Sequence, residues 1–199
     1  TIAEELIQLT ERHYPPLYEF AGSLVWLSHE LPHKPDLYFK YLEGVERYLL
    51  HCESIDPVYV FLSRTLLWRE FDNPQKKEEE EAVSRIATHL YTPVQLQAQT
   101  IRVLNRLCSK GPIEESLRNR VLRYSGCTTI FKMNKQLEAQ HVFRAFEQYY
   151  KFLLQNLILA EPNIVRCQYC GGYFVPKTKR KTLYCDRVIR DGRTCKQIA

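Results

Sequence analysis

The sequence predicts a mainly α fold: a helical bundle followed by a small C-terminal module organised by cysteines. Three observations carry this. Apolar residues between the prolines recur at helical spacing, with little alternation. The prolines at 15–16, 32, 35, 57, 74, 93, 112 and 162 cut the chain into helix-sized pieces. Four of the seven cysteines lie in the last 33 of the 199 residues. A 45% hydrophobic and 26% charged composition is that of a globular chain, and at this length it buries roughly 70% of its unfolded surface. Disordered, collagen-like and membrane-spanning classes are excluded, the last because no apolar run reaches roughly 18 residues.

Element by element, Tyr38, Leu42, Val45, Leu49 and Cys52 share one helical face, with Asp36 as N-cap. Asp56-Pro57 starts a helix over Val58 to Phe71, and Asp72-Asn73-Pro74 starts another. Its charged first turn, Lys76 to Glu81, suits the positive helix N-terminus and reads as a solvated face. Thr92-Pro93 is expected to open the next helix, striped by Ile101, Leu104 and Cys108 and ended by Gly111-Pro112. A helix follows from Ile113 to about Tyr124. The β-branched run Cys127 to Met133 reads as a short strand or extended linker. The strongest helix is expected from about Lys135 to Ala160, striped by Val142, Phe146, Tyr149, Leu153 and Leu157. Prolines 57, 74, 93 and 112 are nearly evenly spaced, but no side-chain pattern repeats, which favours a bundle over a solenoid. The expected division is a helical domain over 1–160, able to supply partner contacts or dimerisation, and a module over 161–199.

That module reads C-x2-C-x14-C-x9-C, with Cys167, Cys170, Cys185 and Cys195 as candidate ligands. Four soft thiolates about 2.3 Å from one ion are what a structural Zn2+ requires. The x2 spacing lets one tight turn present two of them, and Gly171 and Gly172 can take the backbone angles that aim amides at sulfur. Residues 173–175 and 182–184 are expected to form a hairpin around a basic turn, with Phe174 and Tyr184 beneath the metal. One zinc per chain, held by four ligands, leaves no position for a reacting water. An odd cysteine count in a helix-rich chain does not suit a secreted disulfide scaffold, and no basic-then-apolar leader opens the sequence. A reducing, cytoplasmic setting is therefore expected.

The segment RCQYCGGYFVPKTKRKTLYCDRVIRDGRTCKQIA, with the helix before it, resembles the C-terminal part of a bacterial domain family of unknown function. Its members carry a CxxCGxYF…YCD…TC signature and are often encoded near mobile elements. The resemblance runs from Leu137 to the end. It is looser to CGNR-type and treble-clef zinc fingers, for which it implies a zinc ribbon or treble-clef-like fold and DNA binding. The chain departs from them in lacking a CGNR tetrad and in spacing its last two cysteines nine residues apart.

Residues 166–196 carry nine Lys or Arg against two Asp, while the remainder of the chain is slightly acidic. Four thiolates on one zinc would lower the module's charge and still leave it basic. Such a unit fits an anionic partner. Lys177, Lys179, Arg180 and Lys181 cluster in the turn, and Arg187, Arg190 and Arg193 lie by the second cysteine pair, as groups for nucleic-acid phosphates. DNA is expected ahead of RNA, with an acidic protein partner as the alternative.

An enzyme is the least supported class. His29-Glu30-Leu31-Pro32-His33 spells H-E-x-x-H, but that motif needs an unbroken helix, and Pro32 breaks it. Cys52 and Cys108 sit on apolar stripes as core residues. Cys127 lies beside two threonines with no local partner. His13, His51, His89 and His141 fall near helix ends, in surface or capping positions. No phosphate-binding glycine loop or nucleophile elbow occurs.

Overall fold

The computed structural model describes residues 1–12, 14–30, 35–52, 59, 62, 76–122, 126–133, 137–143, 145–178 and 181–199. Helices dominate: α1 (Ile2–Glu11), α2 (Pro15–Glu30), α3 (Pro35–Cys52), α4 (Lys76–Ser109), α5 (Glu115–Leu122), α6 (Phe146–Ala160) and the short α7 (Cys195–Ile198). Among the described residues there are also three two-stranded antiparallel sheets: β1 (Cys127–Met133) with β2 (Leu137–Phe143), β3 (Val165–Arg166) with β4 (Tyr173–Phe174), and β5 (Val188–Arg190) with β6 (Arg193–Thr194). Among the described residues no helix is long and apolar enough to cross a membrane.

The chain divides into two compact units: Thr1–Arg12 with Leu96–Ala199, and His13–Gln95. In the second unit the α3 stripe is realised where Val45, Leu49 and Cys52 are buried. Aromatic rings fill the space around it. Phe20 meets Tyr48 edge-on at 5.0 Å between centroids, and Tyr48 meets Tyr59 at 6.0 Å. The helix expected over 58–71 and the Asp72-Asn73-Pro74 start lie outside the described residues, apart from Tyr59 and Leu62, both buried.

One break expected in the sequence does not occur. Pro93 lies inside α4 instead of opening a new helix. Ile86, Ala87 and Leu90 are buried before the proline, in one unit, and Leu96, Val103 and Leu104 after it, in the other. Nearby, the Thr92 hydroxyl donates to the Thr88 carbonyl at 2.8 Å, and Thr100 does the same to Leu96 at 2.7 Å. Burial of apolar residues on each side of Pro93 outweighs the one backbone hydrogen bond that proline removes.

The other unit is built on α6. Its Phe146, Tyr150, Leu153, Leu154, Leu157 and Ile158 are buried, and both α1 and α5 pack on it. Thr1 caps α1, its hydroxyl accepting from the Glu4 amide at 3.3 Å. At the far end Gln97 closes α1, its amide donating to the Leu9 and Arg12 carbonyls at 3.0 and 2.7 Å. Two tyrosines of α6 reach α1: the Tyr149 hydroxyl donates to Glu5, and Arg12 donates to the Tyr150 hydroxyl at 3.2 Å. Gln155 joins α6 to α5 through the Val121 carbonyl at 2.8 Å.

A second expectation fails here. The long helix from Lys135 is instead strand β2 followed by α6. The seven residues of β1 pair with it in full register, from Cys127 opposite Phe143 to Met133 opposite Leu137. Leu-Glu-Ala-Gln favours a helix locally, but pairing with the β-branched strand prevails. Val142, expected on a buried stripe, is exposed. Ala145 is extended and marks the turn into α6, its amide bonded to the Gln148 side chain at 3.2 Å.

Candidate metal centre

Cys167 follows β3 and Cys170 precedes β4, so this small ladder holds both ends of the turn that carries them. Val165 pairs with Phe174 and Arg166 with Tyr173. Within the turn the Cys167 amide donates to the Gly172 carbonyl at 2.8 Å, and the Gly171 amide donates to the Cys167 carbonyl at 2.9 Å. Gly171 takes φ +72, where a side chain would be strained. The return segment is tied by Gln168, whose amide donates to the Leu183 carbonyl at 3.0 Å. The expected pairing of 173–175 with 182–184 is therefore replaced by pairing of β4 with β3.

Nine residues separate Cys185 from Cys195, a step too long for a simple knuckle. The hairpin of β5 and β6 takes up that length. Its two-residue turn is Asp191-Gly192, with φ +51 and +71, the positive pair a type I′ hairpin turn demands. At its base the Cys195 amide donates to the Arg187 carbonyl at 2.9 Å. Cys195 then opens α7.

The four ligand sulfurs, Cys167, Cys170, Cys185 and Cys195, all lie within 4.8 Å of one another. Cys167, Cys185 and Cys195 are buried, Cys170 is exposed, and Phe174 and Tyr184 pack against the cluster as expected. All four thiols are free. Cys170 and Cys185 stand 3.7 Å apart, far beyond a disulfide bond. A tetrahedron with metal–sulfur bonds of about 2.3 Å has edges of about 3.8 Å. The quartet therefore can hold one metal ion.

The cluster's electrostatics favour the thiolate at Cys167 and the thiol at Cys185 and Cys195. Burial pushes the Cys167 thiol up, but the backbone amides of Cys170, Cys185 and Tyr169 outweigh it and bring it down to about 6. The Cys185 amide stands 3.4 Å from that sulfur. Cys185 is raised, first by burial and then by the neighbouring thiols. Cys195 is raised to about 12 for the same reasons.

The basic groups divide into two sets. Arg187 is turned inward, pairing with Glu11 of α1 at 2.5 Å and donating to the Tyr173 carbonyl at 2.6 Å. It passes over Gly172, where an added Cβ would lie 1.9 Å from its Nη1. Tyr173 adds a second tie, its hydroxyl donating to Asn105 of α4 at 2.8 Å. Asp186 pairs with Lys177 at 3.0 Å and Lys196 at 3.6 Å, and these cations, Lys177 first, hold its carboxyl below the usual range. Lys181, Arg190 and Arg193 are exposed. Lys179 and Arg180 lie outside the described residues.

Two arrangements were not legible in the sequence. The β1–β2 register brings the Cys127 sulfur 3.5 Å from His141 Nδ1, with the Thr129 hydroxyl 3.1 Å from the same nitrogen. Reading His141 on a helix hid this. An open cleft of about 860 Å³ lies where α4 ends, α5 begins and α6 ends, with Arg106, Lys110 and Arg118 among its lining. Its signal in the sequence was Arg106 and Lys110, four residues apart before Gly111-Pro112. His29 and Glu30 close α2, while His33 lies outside the described residues. No family profile, curated protein or solved structure matches the chain.

Proposed function

We propose that residues 161–199 form a module stiffened by structural zinc and that its basic surface contacts nucleic acid, DNA first. The sulfur quartet carries the reading: four thiolates select a soft or borderline ion, the Cys170–Cys185 separation of 3.7 Å is near the edge of a tetrahedral zinc site, and all four sulfurs lie within 4.8 Å of one another. Zinc would supply folding free energy and a closed coordination sphere, not chemistry. The chain's own residues then do the work. Cys167, Cys170, Cys185 and Cys195 hold the turn and the hairpin, and Arg187 anchors the module to α1. The exposed Lys177, Lys181, Arg190 and Arg193 remain on the outside for phosphates, and Lys179 and Arg180 add two more cations to the same stretch of sequence. A bacterial regulator or mobile-element accessory in the reducing cytoplasm fits this chemistry, and no catalytic role is assigned.

Elemental analysis of the purified chain tests the metal: one zinc per chain is expected, lost on Cys170→Ser. Anisotropy of a fluorescent 20-base-pair duplex tests the partner. Affinity should fall steeply between 50 and 200 mM salt, by roughly 10- to 1000-fold for a few phosphate contacts. Absence of binding to duplex or single strands at low salt refutes the nucleic-acid reading. Capture of one acidic protein that persists after nuclease treatment would assign the module to an adaptor instead.

A further inference from the structure

We propose that the β5–β6 hairpin tip is the element that enters the nucleic acid, and that its occupant is the minor groove of duplex DNA. This rests on the nucleic-acid reading above and assigns it to a particular surface. The segment 177–181 is the richest in charge by sequence, yet Lys177 is shared with Asp186; outside that segment, Arg187 is spent on Glu11 and Tyr173. The hairpin tip is different in four respects.

First, Arg190 and Arg193 are direct cross-strand partners on either side of the Asp191-Gly192 turn. Like charges in that position repel, and their only described carboxylate is Asp191, 3.5 Å from Arg190 Nε and itself exposed. A phosphate-lined groove relieves that repulsion. Second, Val188 and Ile189 are 65% and 47% exposed, on a small hairpin whose neighbouring cysteines are buried. Apolar side chains set beside arginines are the equipment of proteins that press on base steps from the minor groove. Third, the register slips between Val188 and Arg190: Val188 faces Thr194 while Arg190 faces Arg193, leaving Ile189 as the extra residue of a bulge. A bulge re-aims a side chain and sharpens the local twist. Fourth, the hairpin is rigidly mounted. Buried Cys185 and Cys195 bracket it, and the Cys195 amide closes its base on Arg187. Its ordering is therefore largely complete before DNA arrives. The narrow minor groove concentrates negative potential that draws arginine.

The test uses the zinc-loaded full chain and a 20-base-pair A·T-rich duplex carrying 2-aminopurine. All substituted side chains are exposed, and each variant is first checked for one zinc per chain. Arg190→Gln with Arg193→Gln should weaken binding by about tenfold or more and flatten the log–log salt slope by about 1.8, roughly 0.9 per lost phosphate contact. Val188→Ser with Ile189→Ser should weaken binding without changing that slope and abolish the 2-aminopurine fluorescence rise that unstacking produces. Netropsin, which fills the A·T minor groove, should compete with the wild-type chain. Wild-type binding that survives both hairpin variants but is lost with Lys177→Glu and Lys181→Glu overturns this inference alone. Binding indifferent to netropsin, or tighter to single strands than to the duplex, overturns the groove assignment. No binding by the wild-type chain overturns this inference together with the reading on which it rests.

Discussion

Alanine at Gly172 would drive a methyl group to within 1.9 Å of Arg187 Nη1, and the three atoms nearest that methyl all belong to Arg187. The guanidinium must swing away. It then gives up the Tyr173 carbonyl at 2.6 Å and Glu11 at 2.5 Å. A charge-assisted hydrogen bond to a carbonyl is worth about 1.5 kcal/mol. The ion pair is partly exposed on both sides, so screening limits it to about 0.5 kcal/mol. Those losses come to about 2 kcal/mol; alanine also stiffens the unfolded chain by about 0.4–1 kcal/mol, so Gly172→Ala should cost about 1–1.5 kcal/mol net, or roughly 2–6 °C in melting temperature for a chain of this size. Arg187→Met removes the same two contacts without that gain and should cost about 2 kcal/mol. The decisive measurement is the double variant. With Arg187 gone the added methyl meets no obstruction, and alanine stiffens the unfolded chain by about 0.4–1 kcal/mol. The double variant should be no less stable than Arg187→Met alone, so the two costs do not add. Thermal unfolding of the four zinc-loaded proteins reads this directly. If Gly172→Ala costs the same, about 1–1.5 kcal/mol, with Arg187 present and with Met in its place, the glycine is not there to let Arg187 pass.

Proton release follows from the cluster's thiols. At pH 7.5 Cys167, at about 6, is already thiolate, while Cys185 and Cys195, both raised, still carry protons. Zinc loading should thus expel at least two protons per ion, measured by calorimetry in buffers of different ionisation enthalpy. Affinity should fall as pH falls, and more steeply below about 6, where Cys167 must also give up a proton. Flat affinity between pH 5 and 8 would contradict thiolate ligation. At the other end of this unit, Gln97→Leu strips two acceptors at the α1 terminus of their donor. A loss of about 1–2 kcal/mol and faster amide exchange across residues 9–12 are expected; unchanged exchange there would show that Gln97 does not hold that helix end.

What the sequence determined by itself was whatever depends on near neighbours. Apolar spacing gave the helices, because helical period is a local property, and the cysteine spacing named the four residues that the fold gathers. Phe174 and Tyr184 were legible as packing beneath the cysteines because they sit between the ligand pairs. Tertiary structure decided whatever depends on distant partners. A strand costs entropy until another strand pays it back, so Leu137–Phe143 became β2 only because Cys127–Met133 was there to pair with it. Pro93 stayed within α4 because apolar residues are buried on both sides of it. Arg187 looked like one more surface cation, and only the proximity of Glu11, 176 positions earlier, turned it inward. Arg190 and Arg193 became a facing pair through the type I′ turn and the bulge beside it, since which charges stand free is fixed by where the backbone carries them.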